Sequence, residues 1–371
     1  MKVAIVLNTS WNIYNFRMGL IKALKESGHE IHAIAPEDEY SKKLVELGCK
    51  YHKVTMDSRG VNPIKDLALF FELRRIYKRI NPDVILHYTI KPNLYGTMAA
   101  TTLKIPAINN VCGLGTVFLN ENLVSKIALM MYRFAFRFPK KVFFQNSYDH
   151  DLFVERGLIK ADISDIVPGS GIDLNYFQPK PFKRNKEFTF LLISRLIHDK
   201  GVIEYIDAIK QLKVQGTEAK FQILGAKDPE HRRGIKTELV DGWIENNIIE
   251  YLGTTDDVRG YIADADCVVL PSYREGTPRT LLEAASSSKP IIATDVPGCK
   301  NVVEDSYNGL LCKLKDPEDL ANKMLEMMEL PDDSIKRLGK NGRDKVENEF
   351  SENVVIDKYL ESIAEIKPSK F

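Results

Sequence analysis

Cys267-Val268-Val269-Leu270-Pro271-Ser272-Tyr273-Arg274-Glu275-Gly276-Thr277-Pro278-Arg279-Thr280-Leu281-Leu282-Glu283-Ala284 passes from an unbroken apolar run, through a polar loop, into a helical pattern. An apolar run without alternation fits a strand covered on both faces, and strand–loop–helix is the repeating half of a parallel α/β sheet. Thr277 is expected as the N-cap, with Pro278 at the first helical position. Backbone N–H groups at such a helix start suit an anion, typically a phosphate. Glu275 falls on the loop, and Glu283 about a turn and a half into the helix. Two carboxylates would repel a phosphate alone. They fit a ligand that also carries hydroxyls, one set on a ribose and one on a sugar. For an isolated pair, a solvated helix Glu plus a loop Glu fits at least as well.

The same alternation runs along the chain on both sides of this stretch. Strands are expected over 3–7, 31–35, 51–54, 84–87, 107–110, 142–145 and 163–167, then over 189–193, 221–224, 248–251, 267–270 and 291–294. Helical patterns lie between them, such as 16–27, which ends at Gly28, and 64–80, which follows Pro63. The polar, Pro-containing stretch 178–186 interrupts the series and reads as a linker. Two consecutive doubly wound domains result: 1–178, then 179–351, with a final helix over 352–371 expected to return to the first domain. Ligands of such sheets bind at the carboxyl ends of the strands, so the strand-to-helix loops matter most.

The chain has 371 residues, 44% of them hydrophobic and 28% charged, which excludes global disorder and fits two domains. With 52 basic and 51 acidic residues the net charge is +1, so nucleic acid is not an expected partner. The charge is uneven, however, at +7 over residues 1–180 and −6 over the remainder. Five cysteines (Cys49, Cys112, Cys267, Cys299, Cys312) lack Cys-x-x-Cys spacing, which argues against a disulfide framework or a zinc site and fits a reducing cytoplasm. The first apolar run is too short for a signal sequence, and no run of ~20 apolar residues spans a membrane.

A second strand–loop–helix unit, Phe190-Leu191-Leu192-Ile193-Ser194-Arg195-Leu196-Ile197-His198-Asp199-Lys200-Gly201, offers the guanidinium fork of Arg195 and the point charge of Lys200 to one diphosphate. Alone it also reads as an ordinary charged surface loop. Ser194-Arg195-Leu196 with Lys200-Gly201, followed by Glu275-Gly276-Thr277-Pro278 and Glu283, resembles the nucleotide-sugar site of the retaining glycosyltransferases of family 4, which have the GT-B fold: two doubly wound Rossmann-like domains facing across a cleft. The resemblance covers essentially the whole chain. Asn15-Phe16-Arg17, the stretch 58–63 containing Arg59, Lys91-Pro92-Asn93 and Cys112-Gly113 carry a closer likeness to bacterial members that extend undecaprenyl-diphosphate-linked sugars for capsule, O-antigen or glycoprotein assembly.

The resemblance implies catalytic roles for Arg195, Lys200 and Glu275. Arg195 and Lys200 would meet the donor diphosphate, and Glu275 the transferred hexose or N-acetylhexosamine. Glu283 would hold the ribose, with Gly225, Gly253, Gly276, Thr277, Pro278, Arg279 and Thr280 completing a site for a nucleotide-sugar donor, expected to be UDP-linked. Asn15, Arg17, Arg59, Lys91, Asn93 and Gly113 would face a lipid-linked or oligosaccharide acceptor. The nucleotide sugar is a substrate, so no cofactor is expected. Two features depart from the family: Asn8-Thr9-Ser10 has no Gly-Gly turn after the first strand, and no His lies at 109–113. A GT-B-fold epimerase or phosphorylase is the alternative reading. A nicotinamide enzyme would need a Gly-x-Gly-x-x-Gly turn that neither first-strand loop has.

No metal site is expected. Asp264-Ala265-Asp266 lies at the amino end of the 267–270 strand, away from the ligand face. Residues 122–148 contain no acid but include Lys126, Arg133, Arg137, Lys140 and Lys141, with Ile127, Met130, Phe134 and Phe138 near helical spacing. A core helix with charged flanks accounts for that pattern. An interfacial helix docking on anionic lipid does so as well, and the basic first half favours it, which would make the protein cytoplasmic and peripheral on the inner face of the cell membrane.

Overall fold

The apolar runs become strands of two all-parallel sheets, one in each unit of a computed structural model that describes residues 1–57, 62–114 and 123–366. Unit 1 comprises Met1–Ser170 with Glu352–Phe371, and unit 2 comprises Gly171–Ser351. In unit 1 the strands β1 (Lys2–Val6), β2 (Glu30–Ala35), β3 (Lys50–Lys53), β4 (Val84–Tyr88), β5 (Ala107–Val111), β6 (Lys141–Phe144) and β7 (Ser164–Ile166) lie in the order β3-β2-β1-β4-β5-β6-β7. Its helices are α1 (Ser10–Glu26), α2 (Tyr40–Glu46), α3 (Pro63–Ile80), α4 (Thr97–Thr102), α5 (Leu123–Ala135) and α6 (Ser147–Glu155). After Lys2, β1 is apolar because helices cover both its faces: Val3 and Ile5 pack with α1, Ala4 and Val6 with α3.

Unit 2 repeats the plan with β8 (Phe188–Ile193), β9 (Ala219–Leu224), β10 (Glu250–Tyr251), β11 (Cys267–Leu270), β12 (Ile291–Thr294) and β13 (Gly309–Cys312) in the order β10-β9-β8-β11-β12-β13. Between and after them run α7 (Val202–Val214), α8 (Thr237–Glu245), α9 (Arg259–Asp264), α10 (Arg279–Ser286), α11 (Cys299–Val302), α12 (Pro317–Glu329) and α13 (Asp332–Glu349). The chain then returns to unit 1 as α14 (Glu352–Ala364), whose Val355, Tyr359 and Ile363 join the core of α1 and β1. In both sheets the strand order reverses beside the first strand, at β1/β4 and at β8/β11. Such switch points are where open α/β sheets take ligands.

Several details correct the sequence reading. The domain boundary falls at 170/171 rather than 178/179. Ile172 donates its N–H to Phe350 O at 2.9 Å, and Ile172 and Phe177 pack into the unit 2 core with Leu281 and Val346. Residues 178–186 are therefore not an inter-unit linker; Arg184 bonds to Leu330 O at 3.0 Å and Asn185 Nδ2 to Asp264 O at 2.7 Å, all within unit 2. Helix α1 starts at Ser10, six residues before the expected 16, because Thr9 Oγ1 accepts from Asn12 N–H at 3.0 Å as an N-cap. Strand β13 has no counterpart among the expected strands.

Candidate active site

The loops after β8 and β11 leave adjacent strand ends at the unit 2 switch point. After β8 the chain makes a single 3-10 turn, His198–Lys200, and enters α7 through Gly201 at φ 70°. A Cβ at Gly201 would stand 1.9 Å from Pro271 O, so glycine alone lets the β8 loop close on the β11 loop. That closure brings Lys200 Nζ into contact with Glu275 Oε1, both side chains largely covered. Gly298, at φ 87°, plays the same part after β12: its Cβ would meet Glu275 O at 2.5 Å. The Glu275 loop is thus seated between two glycine turns.

Helix α10 begins one residue later than expected. Pro278 has ψ 114° and is itself the N-cap, with its carbonyl accepting from Leu281 and Leu282; Thr277 is not the cap. Extended backbone at Pro278 is what delays the helix. Thr280 Oγ1 donates to Ile193 O at 3.2 Å, fixing α10 to the end of β8. Glu283 stands one turn in with its side chain largely covered, and Arg279 Nε donates to its Oε1 at 3.0 Å. Burial raises the Glu283 carboxyl above the ordinary range, with Arg279 opposing. Arg195 extends beside Asp228 Oδ2 at 3.5 Å, its side chain more than half exposed. On the β9 side, Gly225 N–H donates to Gly253 O at 2.8 Å and Tyr251 Oη to Gly225 O at 2.9 Å.

Arg195, Lys200, Gly225, Gly253, Glu275, Gly276, Thr277, Pro278, Arg279, Thr280 and Glu283 therefore all stand on or just beyond strand-end loops of one sheet. The sequence reading missed what holds them. Tyr273 Oη donates to Glu204 Oε1 at 2.7 Å, Tyr273 N–H to Asp199 O at 2.9 Å, and Arg233 Nε to Asp199 Oδ1 at 3.0 Å. Pro297-Gly298 after a predicted strand was a visible turn signal; the partners of Tyr273 and Arg195 lie too far along the chain for any local pattern to reveal. Asp266 accepts from Thr189 N–H at 2.8 Å and Asn185 Nδ2 at 2.9 Å, closing the amino end of β8.

In unit 1 the proposed acceptor residues occupy different environments. Arg17 is buried with its guanidinium 4.3 Å over the Tyr88 ring, near Cys112 and Tyr359. Asn93 Nδ2 donates to Asn110 O at 2.8 Å, and Gly113 follows β5 at φ 134°. Asn15 Nδ2 donates to Trp11 O at 3.0 Å within α1. Lys91 is engaged elsewhere: its Nζ meets Asp66 Oδ1 at 2.7 Å in a covered ion pair that ties the segment after β4 to α3, and Tyr95 Oη donates to the other Asp66 oxygen. Arg59 lies outside the described residues.

Fold and loops of this kind define a glycosyltransferase of the GT-B class. The family model described as "Glycosyl transferases group 1" matches residues 176–345, and "Glycosyl transferase 4-like" matches residues 2–146; the chain belongs to this family. It is 30% identical over 378 residues, 97% of both chains, to the N,N'-diacetylbacillosaminyl-diphospho-undecaprenol alpha-1,3-N-acetylgalactosaminyltransferase of Campylobacter jejuni. With the UDP-Gal:alpha-D-GlcNAc-diphosphoundecaprenol alpha-1,3-galactosyltransferase of Escherichia coli it shares 24% identity over 81% of its length and 80% of that protein. The Anabaena HepE structure in complex with UDP and glucose superposes with a TM-score of 0.81 at 19% identity, covering 98% of this chain and 100% of that one.

Proposed function

We propose that this glycosyltransferase moves a hexose or N-acetylhexosamine from a UDP-linked donor, with retention and without a metal ion or other cofactor, to an undecaprenyl-diphosphate-linked sugar. The observation that carries the donor side is that Arg195 and Lys200 on the β8 loop and Glu275 and Glu283 on the β11 loop and α10 stand at the β8/β11 switch point, with Lys200 joined to Glu275 and Arg279 to Glu283. The acceptor class is supported by the relatives from Campylobacter jejuni and Escherichia coli, whose names specify undecaprenyl-diphosphate-linked acceptors.

As the bond from the sugar's C1 to the diphosphate breaks, negative charge grows on the leaving oxygen. Arg195 and Lys200 meet that charge, and a well-placed donor of this kind is worth about 3–4 kcal/mol in the transition state. Glu275, held by Lys200 and by its own N–H to Pro297 O, accepts from the sugar hydroxyls. Glu283 accepts from the ribose. Two cations on the diphosphate do the work a divalent ion does elsewhere.

The membrane surface belongs to the same reading. No helix among the described residues is long and apolar enough to cross a membrane. Helix α5 buries Tyr132 and Ala135, followed by Phe136, while Ile127, Met130, Phe134 and Phe138 are exposed among Lys126, Arg133, Arg137 and Lys140. That outward face suits peripheral docking on the anionic inner face of the cell membrane.

The test is a thermal-shift panel of UDP- and GDP-sugars, followed by NMR of the product made from the donor that stabilises. A bound donor raises the melting point by mass action. We expect a UDP-sugar to register and the product to keep the donor's α-anomeric configuration, with turnover intact in EDTA. An inverted product, or activity lost in EDTA and restored by Mn²⁺, would overturn the mechanism.

A further inference from the structure

Helix α3 carries an outward stripe that nothing so far explains. Its inner side buries Leu69, Leu73, Ile76, Tyr77 and Ile80 against β1, β2 and β4. On the opposite side, at helical spacing, stand Ile64, Leu67 and Phe71, exposed by 81%, 57% and 59%, and then Arg75 and Lys78. Arg74 and Arg79 flank the stripe, and with Phe71, Arg75 and Lys78 they line a shallow groove. Neither acid of the helix faces outward with them: Asp66 is buried against Lys91, and Glu72 accepts from Thr55 N–H at 3.1 Å. Single exposed apolar residues are ordinary; three in line on a helix about 27 Å long, continued by cations, are not.

The layer in which α3 lies narrows the partner. Helices α3 and α5 cover the same face of the seven-stranded sheet. Ala4, Val6, Ile85 and Ala107 point to α3, and Val111, Val142 and Phe144 point to α5, while Ile5, Leu86, Ile108 and Phe143 point to the other side. The segment Pro92–Gly96 lies between the two helices, with Tyr95 packed against both clusters. Two helices of one layer thus expose the same mixture of large apolar and basic side chains. A second copy docking by the same face would set these cations against themselves. An anionic bilayer meets both requirements, since headgroups take the cations and the acyl boundary takes the apolar side chains.

We propose that α3 is a second membrane-binding element, which lays Ile64, Leu67 and Phe71 at the acyl boundary and Arg75 and Lys78 among anionic headgroups. This rests on the peripheral-membrane reading given above and adds to it a contact outside α5.

The experiment places tryptophan reporters in the full chain, Phe71→Trp on α3 and Met130→Trp on α5, against the background of Trp11 and Trp243. Vesicles of phosphatidylcholine with phosphatidylglycerol are added, with and without brominated acyl chains. We expect the Phe71→Trp emission to shift blue and to be quenched by the brominated lipid. Replacing Arg75 and Lys78 by Gln should lower vesicle partitioning on the order of fivefold per charge removed. If Met130→Trp responds and Phe71→Trp does not, α3 stays in water: the inference fails while the membrane reading stands. If neither responds, both fail. Sedimentation as a dimer that replacing Leu67 and Phe71 by Ser converts to monomer would assign the face to a second copy and overturn the lipid assignment.

Discussion

At Glu283 two neighbours pull one carboxyl in opposite directions. Burial disfavours its charge and Arg279 favours it, and the balance leaves the group above the usual carboxylate range. A carboxylate is the better acceptor for ribose hydroxyls, so transfer should fall on the acid side as the pH drops through this raised value. Replacing Arg279 by Ala removes the opposing cation and should move the acid limb of the kcat/KM profile to higher pH; an unmoved limb would dissociate Glu283 from the donor. Arg195 is the sharper case. Arg195→Ala should cost about 10²–10³ in kcat with the fold intact, as measured by circular dichroism and initial rates. Arg195→Lys should also be poor, because a point charge does not replace a planar fork. Near-parent turnover in the alanine variant would remove the diphosphate role.

Among the elements, α5 makes the clearest prediction. Substituting Arg133, Arg137, Lys140 and Lys141 by Gln should release the protein from anionic vesicles in co-sedimentation, with the parent's binding itself weakening as salt rises. Turnover on a short soluble acceptor should be nearly unchanged, and turnover on the long lipid-linked acceptor should fall. Much of this element level was legible beforehand. Strand β11 is an unbroken apolar run and β8 is one but for Thr189, and Arg195, Lys200, Glu275 and Glu283 follow them at fixed spacing. What escaped depends on contacts between distant residues. Gly298 is indispensable only because the Glu275 carbonyl sits where its Cβ would be. Lys91 looked available for an acceptor until α3 brought Asp66 to it. The start of α10 was misplaced because Pro278 is compatible with the first helical position and with the cap alike, and only its observed ψ decides between them.

At the scale of the whole molecule, the chain leaves unit 1 at Ser170, completes unit 2, and comes back as α14. The returning helix is structural for unit 1. Tyr359 is fully buried, with its ring centroid 5.0 Å from Phe143 and 6.0 Å from Tyr88, and its hydroxyl accepts from Asn110 Nδ2 at 3.0 Å. Lys358 reaches Asp165 and Ile166 O, and α14 lies so close to α1 that a Cβ on Gly19 would stand 2.4 Å from Glu352 Oε2. Unit 2 has separate hydrophobic clusters that include no residue of α14. Truncating Tyr359 to Ala should therefore weaken one unit and spare the other, by about 3–5 kcal/mol for a large buried aromatic side chain. Calorimetry can separate them, because the proposed donor nucleotide stabilises only the unit that binds it. We expect Tyr359→Ala to lower one transition and UDP to raise another, with UDP affinity at the parent's value. A variant in which UDP affinity falls along with the unit 1 transition would show that the two cores do not stand independently, and that α14 supports the donor side as well as the sheet it packs on.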